Sequence, residues 1–450
     1  MMIRFRRRTC ITLSIFIFLV CLIMAGLKHL RPENAAFGSP FGLGLFPGFH
    51  RASVLEKIPD SENHLKGNTV TETNTLPAPK DKVYQSDMEE FPPPNYDLHI
   101  FYYTWYGNPQ FDGKYIHWNH PLLKHWDAKI ANSFPLGKHN PPDDVGANFY
   151  PELGPYSSRD PSVIDAHMKQ IRSSSVGVIS VSWYPPGISD DNGEPTDDFI
   201  PSILDKAHSY GLKVNFHIEP YRNRDDYSLR NNVVYIIDKY GSHPAFYKYK
   251  TDNGRTLPMF YIYDSYITTP GTWANLLTSS GSQSIRNTPY DGIFMALLVE
   301  EKHKHDILRG GFDGFYTYFA TNGFSYGSSH QHWSSLKEFC NTNNLLFIPS
   351  VGPGYIDTSI RPWNFQNTRN RINGKYYETA INAALLVRPK IISITSFNEW
   401  HEGTQIEAAI PKKTAQMKYE DYLPHKPNIY LELTRKWSEK YMKEKEHWLV

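Results

Sequence analysis

Cysteine is nearly absent. The 450 residues hold three. Cys10 and Cys21 fall in or at the edge of an apolar run near the amino terminus, which leaves Cys340 alone in the remainder. One cysteine closes no internal bridge, so a disulfide scaffold is excluded even in an oxidising compartment. Cys340 follows Phe339 in a helical pattern and reads as a small buried hydrophobe. An excess of one charge is also lacking, with 47 Lys and Arg against 46 Asp and Glu. No global field therefore points to nucleic acid or to an acidic partner. The chain has no Asn-x-Ser/Thr acceptor, no internal repeat and no glycine-rich phosphate loop; Gly311, Gly314 and Gly323 do not form a dinucleotide fingerprint. Neither His-Glu-x-x-His nor any paired-histidine metal spacing occurs. His401 beside Glu399 and Glu402 imitates a ligand cluster without that spacing, and His303 and His305 lie in EKHKHD, expected to be an exposed loop. No cofactor and no metal are expected.

What the chain does have begins at the amino terminus. Arg4, Arg6, Arg7 and Arg8 precede residues 9–27, an uncharged and mostly apolar run closed by Lys28. Such a run spans a bilayer core of about 30 Å. The basic flank keeps residues 1–8 cytoplasmic and sends the carboxy-terminal bulk to the lumen, a single-pass type II topology. The competing reading is a cleaved signal peptide, but the run is long for one and Ala25-Gly26-Leu27 matches a cleavage site poorly. Residues 28–96 mix Pro, Asn, Ser, Thr, Glu and Lys without periodicity and end in Pro92-Pro93-Pro94. They are expected to form a flexible stem.

From residue 97 to 450 the pattern changes. Short apolar runs at 98–103, 176–183, 213–218, 258–263, 292–299, 314–317, 345–351 and 391–396 read as strands. Helical patterns such as 200–209, 230–240, 333–340 and 376–386 lie between them, and 429–443 closes the chain. Eight strands mostly separated by helices predict an α/β fold, a (β/α)8 TIM-type barrel. The long segment 107–175 is expected to be an extended loop over the first strand's end.

In such a barrel the residues following each strand share one face. Tyr103 and Trp105 follow the first strand. Trp183, Tyr184 and an acidic loop containing Asp190 and Glu194 follow the second. His217, Glu219 and Tyr221 follow the third, Tyr263 and Asp264 the fourth, Tyr318 the sixth, and Tyr355 and Asp357 the seventh. Aromatic residues make up 14% of the chain. A rim of Trp and Tyr with scattered carboxylates suits a carbohydrate, whose rings offer apolar faces to aromatic planes and hydroxyls to acids. For His217, local hydrogen bonding and a substrate contact are equally open.

The eighth strand ends in the stretch on which the chain turns, IISITSFNEWHEG. A buried β-branched run empties into Asn398, Glu399, Trp400, His401 and Glu402, with two carboxylates three positions apart. A pair of carboxylates in a sugar-lined cleft suits glycoside hydrolysis, one protonating the leaving oxygen and the other serving as nucleophile or base. Their close spacing also fits a mechanism that uses the substrate's own hydroxyl, and spacing alone leaves these options open. Two further classes compete. A lumenal lectin on an inactive barrel would use the same rim but not the paired glutamates. A glycosyltransferase would share the anchored topology but wants a metal-binding acidic motif in a nucleotide-sugar domain, which is not found.

The segments FYYTWYGNP, SVSWYPPG, NFHIEPY, YIYDSY and SFNEWHEG, which agree in order, resemble glycoside hydrolase family 99 over residues 97–450. The resemblance implies a (β/α)8 barrel that cleaves within the α-1,2-mannose arm of glucosylated high-mannose N-glycans, releasing glucosyl-mannose with retention of configuration. It implies that Glu399 acts as base on the substrate 2-hydroxyl, giving a 1,2-anhydro sugar. Glu402 would be the acid for the departing mannose and then the base for water. By the same resemblance Trp183 lines the sugar upstream of the cut, and the loop carrying Asp190 and Glu194 selects glucosylated substrate. The anchor and stem resemble those of the family's Golgi-resident animal members.

Overall fold

The computed structural model of the protein describes residues 91–415 and 417–448. The expected cytoplasmic tail, membrane anchor and stem as far as residue 90 lie outside the described residues. Among the described residues no helix is long and apolar enough to cross a membrane.

A parallel sheet is built from β1 (Asn95–Tyr102), β2 (Val176–Trp183), β3 (Lys213–Ile218), β4 (Thr256–Ile262), β5 (Ile293–Leu297) and β6 (Gly314–Tyr316). It continues through β7, which is Leu346–Ile348 and Ser350–Val351 interrupted at Pro349, to β8 (Ile392–Ile394). Each strand pairs with the next in chain order. Ser350–Val351 pairs with β8, and β8 pairs with β1. The two pieces of β7 thus face neighbours on opposite sides, and the sheet closes on itself through a strand that proline divides. Proline cannot donate to a ladder, which is why the division falls there.

Eight helices alternate with the strands: α1 (Pro161–Ser173), α2 (Ile200–Ser209), α3 (Asp226–Tyr240), α4 (Pro270–Leu277), α5 (His303–Gly310), α6 (Trp333–Thr342), α7 (Lys375–Leu386) and α8 (Ile429–Trp448). Local chemistry sets several starts. Asp160 accepts from Ser162 N ahead of Pro161, Asp225 and Ser228 form a capping box, and Thr269 caps ahead of Pro270. Each satisfies amide groups that have no partner within the helix.

The strand and helix patterns are found where the sequence places them, with shifts at the ends. Three expectations are corrected. Residues 91–96 do not belong to a free stem: Phe91 packs edge-on against Tyr210, Ser175 Oγ donates to Pro93 O, and β1 already begins at Asn95. The segment 107–175 is not one extended loop, since it ends in α1, whose buried face is Val163, Ile164, His167, Met168 and Ile171. The EKHKHD segment is not an exposed loop either. It enters α5, with His303 buried and stacked on Tyr266, because a histidine can bury its ring where a lysine keeps its charge in water.

Strand alternation decides what faces inward. His99 and Phe101 of β1, His217 of β3, Tyr261 of β4 and Tyr316 of β6 meet inside, with ring centroids of neighbouring pairs 4.6 to 6.4 Å apart. Tyr261 OH pairs with His99 Nδ1 at 2.8 Å and Tyr316 OH with His217 Nε2 at 2.7 Å. Small residues offset these rings: Ser182 of β2 turns its hydroxyl to Glu219, and Ser350 bonds Ser393 across β7 and β8. The barrel is therefore filled by aromatic and hydrogen-bonded side chains rather than by aliphatic layers. Cys340 is buried in α6, and burial pushes its thiol up to about 12, as befits an inert filler.

Candidate active site

β8 ends at Ile394, and the chain then folds into a short loop bonded to itself. Ser396 N donates to Thr404 O, the Ser396 and Thr404 hydroxyls pair at 2.9 Å, and Glu399 N donates to Ser396 Oγ at 2.8 Å. Gly403 turns the loop with φ at 60°, where a Cβ would also lie 2.6 Å from Ile356 Cγ2. Arg371 holds the far side, donating to the carbonyls of Gly403 and Gln405. Phe397 N reaches Phe101 O, tying the loop to the end of β1.

The two glutamates sit together in this loop, 4% and 7% exposed. Glu402 N donates to Glu399 Oε2 at 2.7 Å, so Glu399 receives a backbone donor from the residue carrying its partner. Burial pushes the Glu399 carboxyl up to about 8, opposed by that backbone bond and by the Arg361 guanidinium. Burial raises Glu402 as well, and the negative charge of Glu399 raises it further, with Arg361 again opposing. The backbone donor favours the anion on Glu399, and that negative charge in turn favours the acid form of Glu402. One anion beside one acid is the state acid–base catalysis needs.

The rim brings together several of the expected residues. Tyr103 and Tyr318 hydrogen-bond through their hydroxyls, and Tyr263 packs edge-on against Tyr318 at 4.9 Å. Burial and the glutamate charges raise the Tyr103 and Tyr318 phenols well above their usual range, Tyr103 also feeling Glu219. Tyr318 and Asp264 both sit at positive φ, 50° and 46°, a strained backbone for side chains of their size. Glu219 Oε1 accepts from Ser182 Oγ at 2.8 Å, and burial lifts its carboxyl to about 8. His217 Nδ1 lies 3.5 Å from Glu219 Oε1, while its Nε2 is held by Tyr316 and burial lowers its pKa to about 3. Trp105 stacks on His117 at 4.5 Å and lines a hollow with Tyr184, Asp190 and Glu194. Asp190 Oδ1 pairs with His117 Nε2 at 3.2 Å; burial raises Asp190, but the His117 charge and hydrogen bond prevail and hold it below the usual carboxylate range. Glu194 is more exposed and pairs with Lys114 at 2.6 Å.

Five residues expected to meet substrate are engaged by groups of the protein itself. Trp183 is fully buried on the outer side of β2: its Nε1 donates to Asp197 Oδ1 at 2.8 Å and its ring faces Tyr235 of α3. Ser182 points inward, so the neighbouring Trp183 must point outward. Asn398 clamps the Tyr103 backbone, accepting from its N–H and donating to its C=O, both at 2.8 Å. Trp400 is fully buried, with Nε1 donating to Glu407 Oε2 at 2.9 Å. Tyr221 pairs with Ser228 at the start of α3. His401 is also buried; its Nδ1 lies 2.6 Å from Gly146 O and its Nε2 3.3 Å from His117 Nδ1, so it joins the loop to residues 107–175.

Sequence reasoning missed two side chains that shape the site, Arg361 and His117, and placed a third, Asp357, on the rim without giving it a role. Asp357 is buried and accepts from Tyr355 OH and Asn364 Nδ2 at 2.9 Å and from Arg361 Nη1 at 3.2 Å. Arg361 is the buried cation opposing both raised glutamates. Asp357 carried a signal, its place beyond the seventh strand; Arg361 and His117 had none, because distant chain segments bring them in. Among the described residues no group of three His, Cys, Asp or Glu side chains is placed to hold a metal ion.

Three comparisons bear on this geometry. The profile of Glycosyl hydrolase family 99 matches residues 93–443. The glycoprotein endo-alpha-1,2-mannosidase of Mus musculus is 65% identical over 456 residues, covering 99% of this chain and 97% of that protein. The glycoprotein endo-alpha-1,2-mannosidase-like protein of Mus musculus is 58% identical over 453 residues, covering 100% of both. Among solved structures, the GH99 endo-alpha-mannosidase from Bacteroides thetaiotaomicron superposes with a TM-score of 0.72 at 45% identity, covering 78% of this chain and 99% of that one. With a barrel whose last strand presents paired buried glutamates, and with this profile spanning the whole of it, the chain belongs to glycoside hydrolase family 99.

Proposed function

We propose that this glycoside hydrolase is an endo-acting α-1,2-mannosidase that trims glucosylated high-mannose N-glycans on glycoproteins and releases glucosyl-mannose with retention of configuration. The observation that carries the assignment of roles is the asymmetry of the pair. Glu399 accepts the Glu402 backbone N–H, a donor that favours its anion, and the charge of Glu399 in turn raises the Glu402 carboxyl. Glu399 is then the base that takes the proton of the substrate 2-hydroxyl. The freed oxygen attacks its own anomeric carbon, the bond to the leaving mannose breaks, and Glu402 delivers its proton to the departing oxygen. A 1,2-anhydro sugar results. Glu402, now anionic, takes a proton from water as that water opens the ring, and Glu399 returns its proton to the 2-oxygen. Tyr103, Tyr263 and Tyr318 form the aromatic wall beside the reacting ring. The loop with Asp190 and Glu194, which lines a hollow with Trp105 and Tyr184, is assigned the glucosylated end. The names of the Mus musculus and Bacteroides thetaiotaomicron proteins support the substrate class. The amino-terminal charge and hydropathy pattern supports a membrane protein of type II topology with a lumenal barrel, and the resemblance of its anchor and stem to those of the family's animal members supports a Golgi location.

Incubation of the full chain in detergent with a glucosylated high-mannose glycan and EDTA tests this reading. Release of a glucosyl-mannose oligosaccharide is expected despite chelation; binding without release would instead identify a lectin. Substrate methylated at the 2-hydroxyl of the mannose at the cut should bind and remain intact, and its hydrolysis at the normal rate would refute the anhydro route.

A further inference from the structure

Behind the glutamate loop lies a further buried carboxylate that neither the sequence motifs nor the reaction accounts for. Glu407 is 1% exposed. Its Oε2 accepts from Tyr156 OH and from Trp400 Nε1, both at 2.9 Å, and its Oε1 lies 3.1 Å from His167 Nε2. A carboxylate accepts only, so that histidine nitrogen is the donor, and Tyr102 OH faces the other ring nitrogen at 2.9 Å. Three donors from three segments, α1, the stretch before it and the glutamate loop, thus converge on one side chain. Trp400 hangs on it directly. Asn398 hangs on it through Tyr156, whose hydroxyl lies 3.2 Å from Asn398 Nδ2. These two residues flank Glu399 in sequence. Glu407 N also donates to Phe397 O, which fixes the carboxylate's own backbone against the same loop.

We propose that Glu407 is a positioning residue for the reaction. It sets the orientation of Glu399 and Glu402 by holding both neighbours of Glu399, without itself touching substrate. A buried carboxylate with every donor supplied is stable only in this arrangement, so the loop has one low-energy shape instead of several. The role also explains why residues 107–173 are integral to the barrel and not a dispensable cover, since they bring Tyr156 and His167. The inference rests on the reading of Glu399 and Glu402 as the reacting pair.

Glycan hydrolysis by the full chain in detergent separates the possibilities, with Glu407→Ala, Glu407→Gln, Tyr156→Phe and the double variant Glu407→Ala/Tyr156→Phe compared. Glu407→Ala is expected to lower kcat at least 30-fold while KM stays within threefold. Glu407→Gln, which retains an amide oxygen for Trp400 and Tyr156, is expected to restore at least tenfold of that loss. Tyr156→Phe removes one hydroxyl and leaves no hole, and it is expected to lower kcat about fivefold with KM unchanged. In the double variant it is expected to add nothing, because the hydroxyl has lost its acceptor. A folded Glu407→Ala protein with kcat within threefold of wild type overturns the proposal, as do multiplicative losses in the double variant. Should Glu407→Ala fail to fold, wild-type kcat in Tyr156→Phe overturns it alone. Glu399→Gln run alongside keeps the two readings apart: full activity there defeats the assignment of the pair, whereas activity lost there and kept in the Glu407 and Tyr156 variants defeats only this inference.

Discussion

Replacing Glu399 by Gln should abolish hydrolysis and, at neutral pH, stabilise the fold. Folded Glu399 holds its proton up to about pH 8, against an ordinary value of 4.5. The folded state therefore binds this proton more tightly than the unfolded state. Its contribution is fully favourable below pH 4.5 and is lost as pH rises toward 8. The whole difference corresponds to about 5 kcal/mol above pH 8, and roughly half of it develops between pH 5 and pH 7. Gln cannot ionise, yet its amide oxygen still accepts the Glu402 N–H, so the loop geometry is preserved. At about 2 °C per kcal/mol for a domain of this size, the melting temperature of the variant should gain about 5 °C on wild type between pH 5 and pH 7. Differential scanning fluorimetry at both pH values measures it, with circular dichroism as the control for folding. Parallel pH profiles for the two proteins would refute the reasoning that burial raises the Glu399 carboxyl.

Other perturbations test separate parts of the site. Glu402→Gln should cost about 10²–10⁴-fold in kcat while glycan binding measured by calorimetry persists; unaltered turnover would remove it as the acid. Arg361→Met removes the cation that opposes both raised carboxyls, so ionisation of Glu399 should shift to higher pH and the ascending limb of the kcat profile should move with it. Trp183→Phe should lower the melting temperature by several degrees, through the lost bond to Asp197, and leave KM within twofold; a large rise in KM would return Trp183 to the cleft. Asp190→Asn weakens the pairing that fixes the acidic loop on His117, and KM should rise more than kcat falls.

Much of the barrel is legible along the chain because strands buried on both faces read as unbroken apolar runs. The run 176–183 is found without displacement as β2, and 213–218 as β3. The seventh strand shows as one run in sequence, and it is the hydrogen bonding of its neighbours that splits it at Pro349. α5 was hidden because Lys and His dominate its sequence while burial is decided by what lies opposite, here Tyr266.

The chain's local pattern determined by itself that an apolar strand delivers two glutamates to the mouth of a barrel, because strand period and burial are properties of neighbouring residues. Which side chains surround those glutamates was a tertiary decision. Trp183 and Ser182 are adjacent in sequence, but the pleat sends one to the helices and the other to Glu219. Arg361, Asp357 and His117 reach the loop from other turns of the barrel, and Glu407 acquires its three donors only when α1 closes against the eighth strand. The asymmetry of the pair has the same origin, since burial, one backbone N–H and one guanidinium are all supplied by folding.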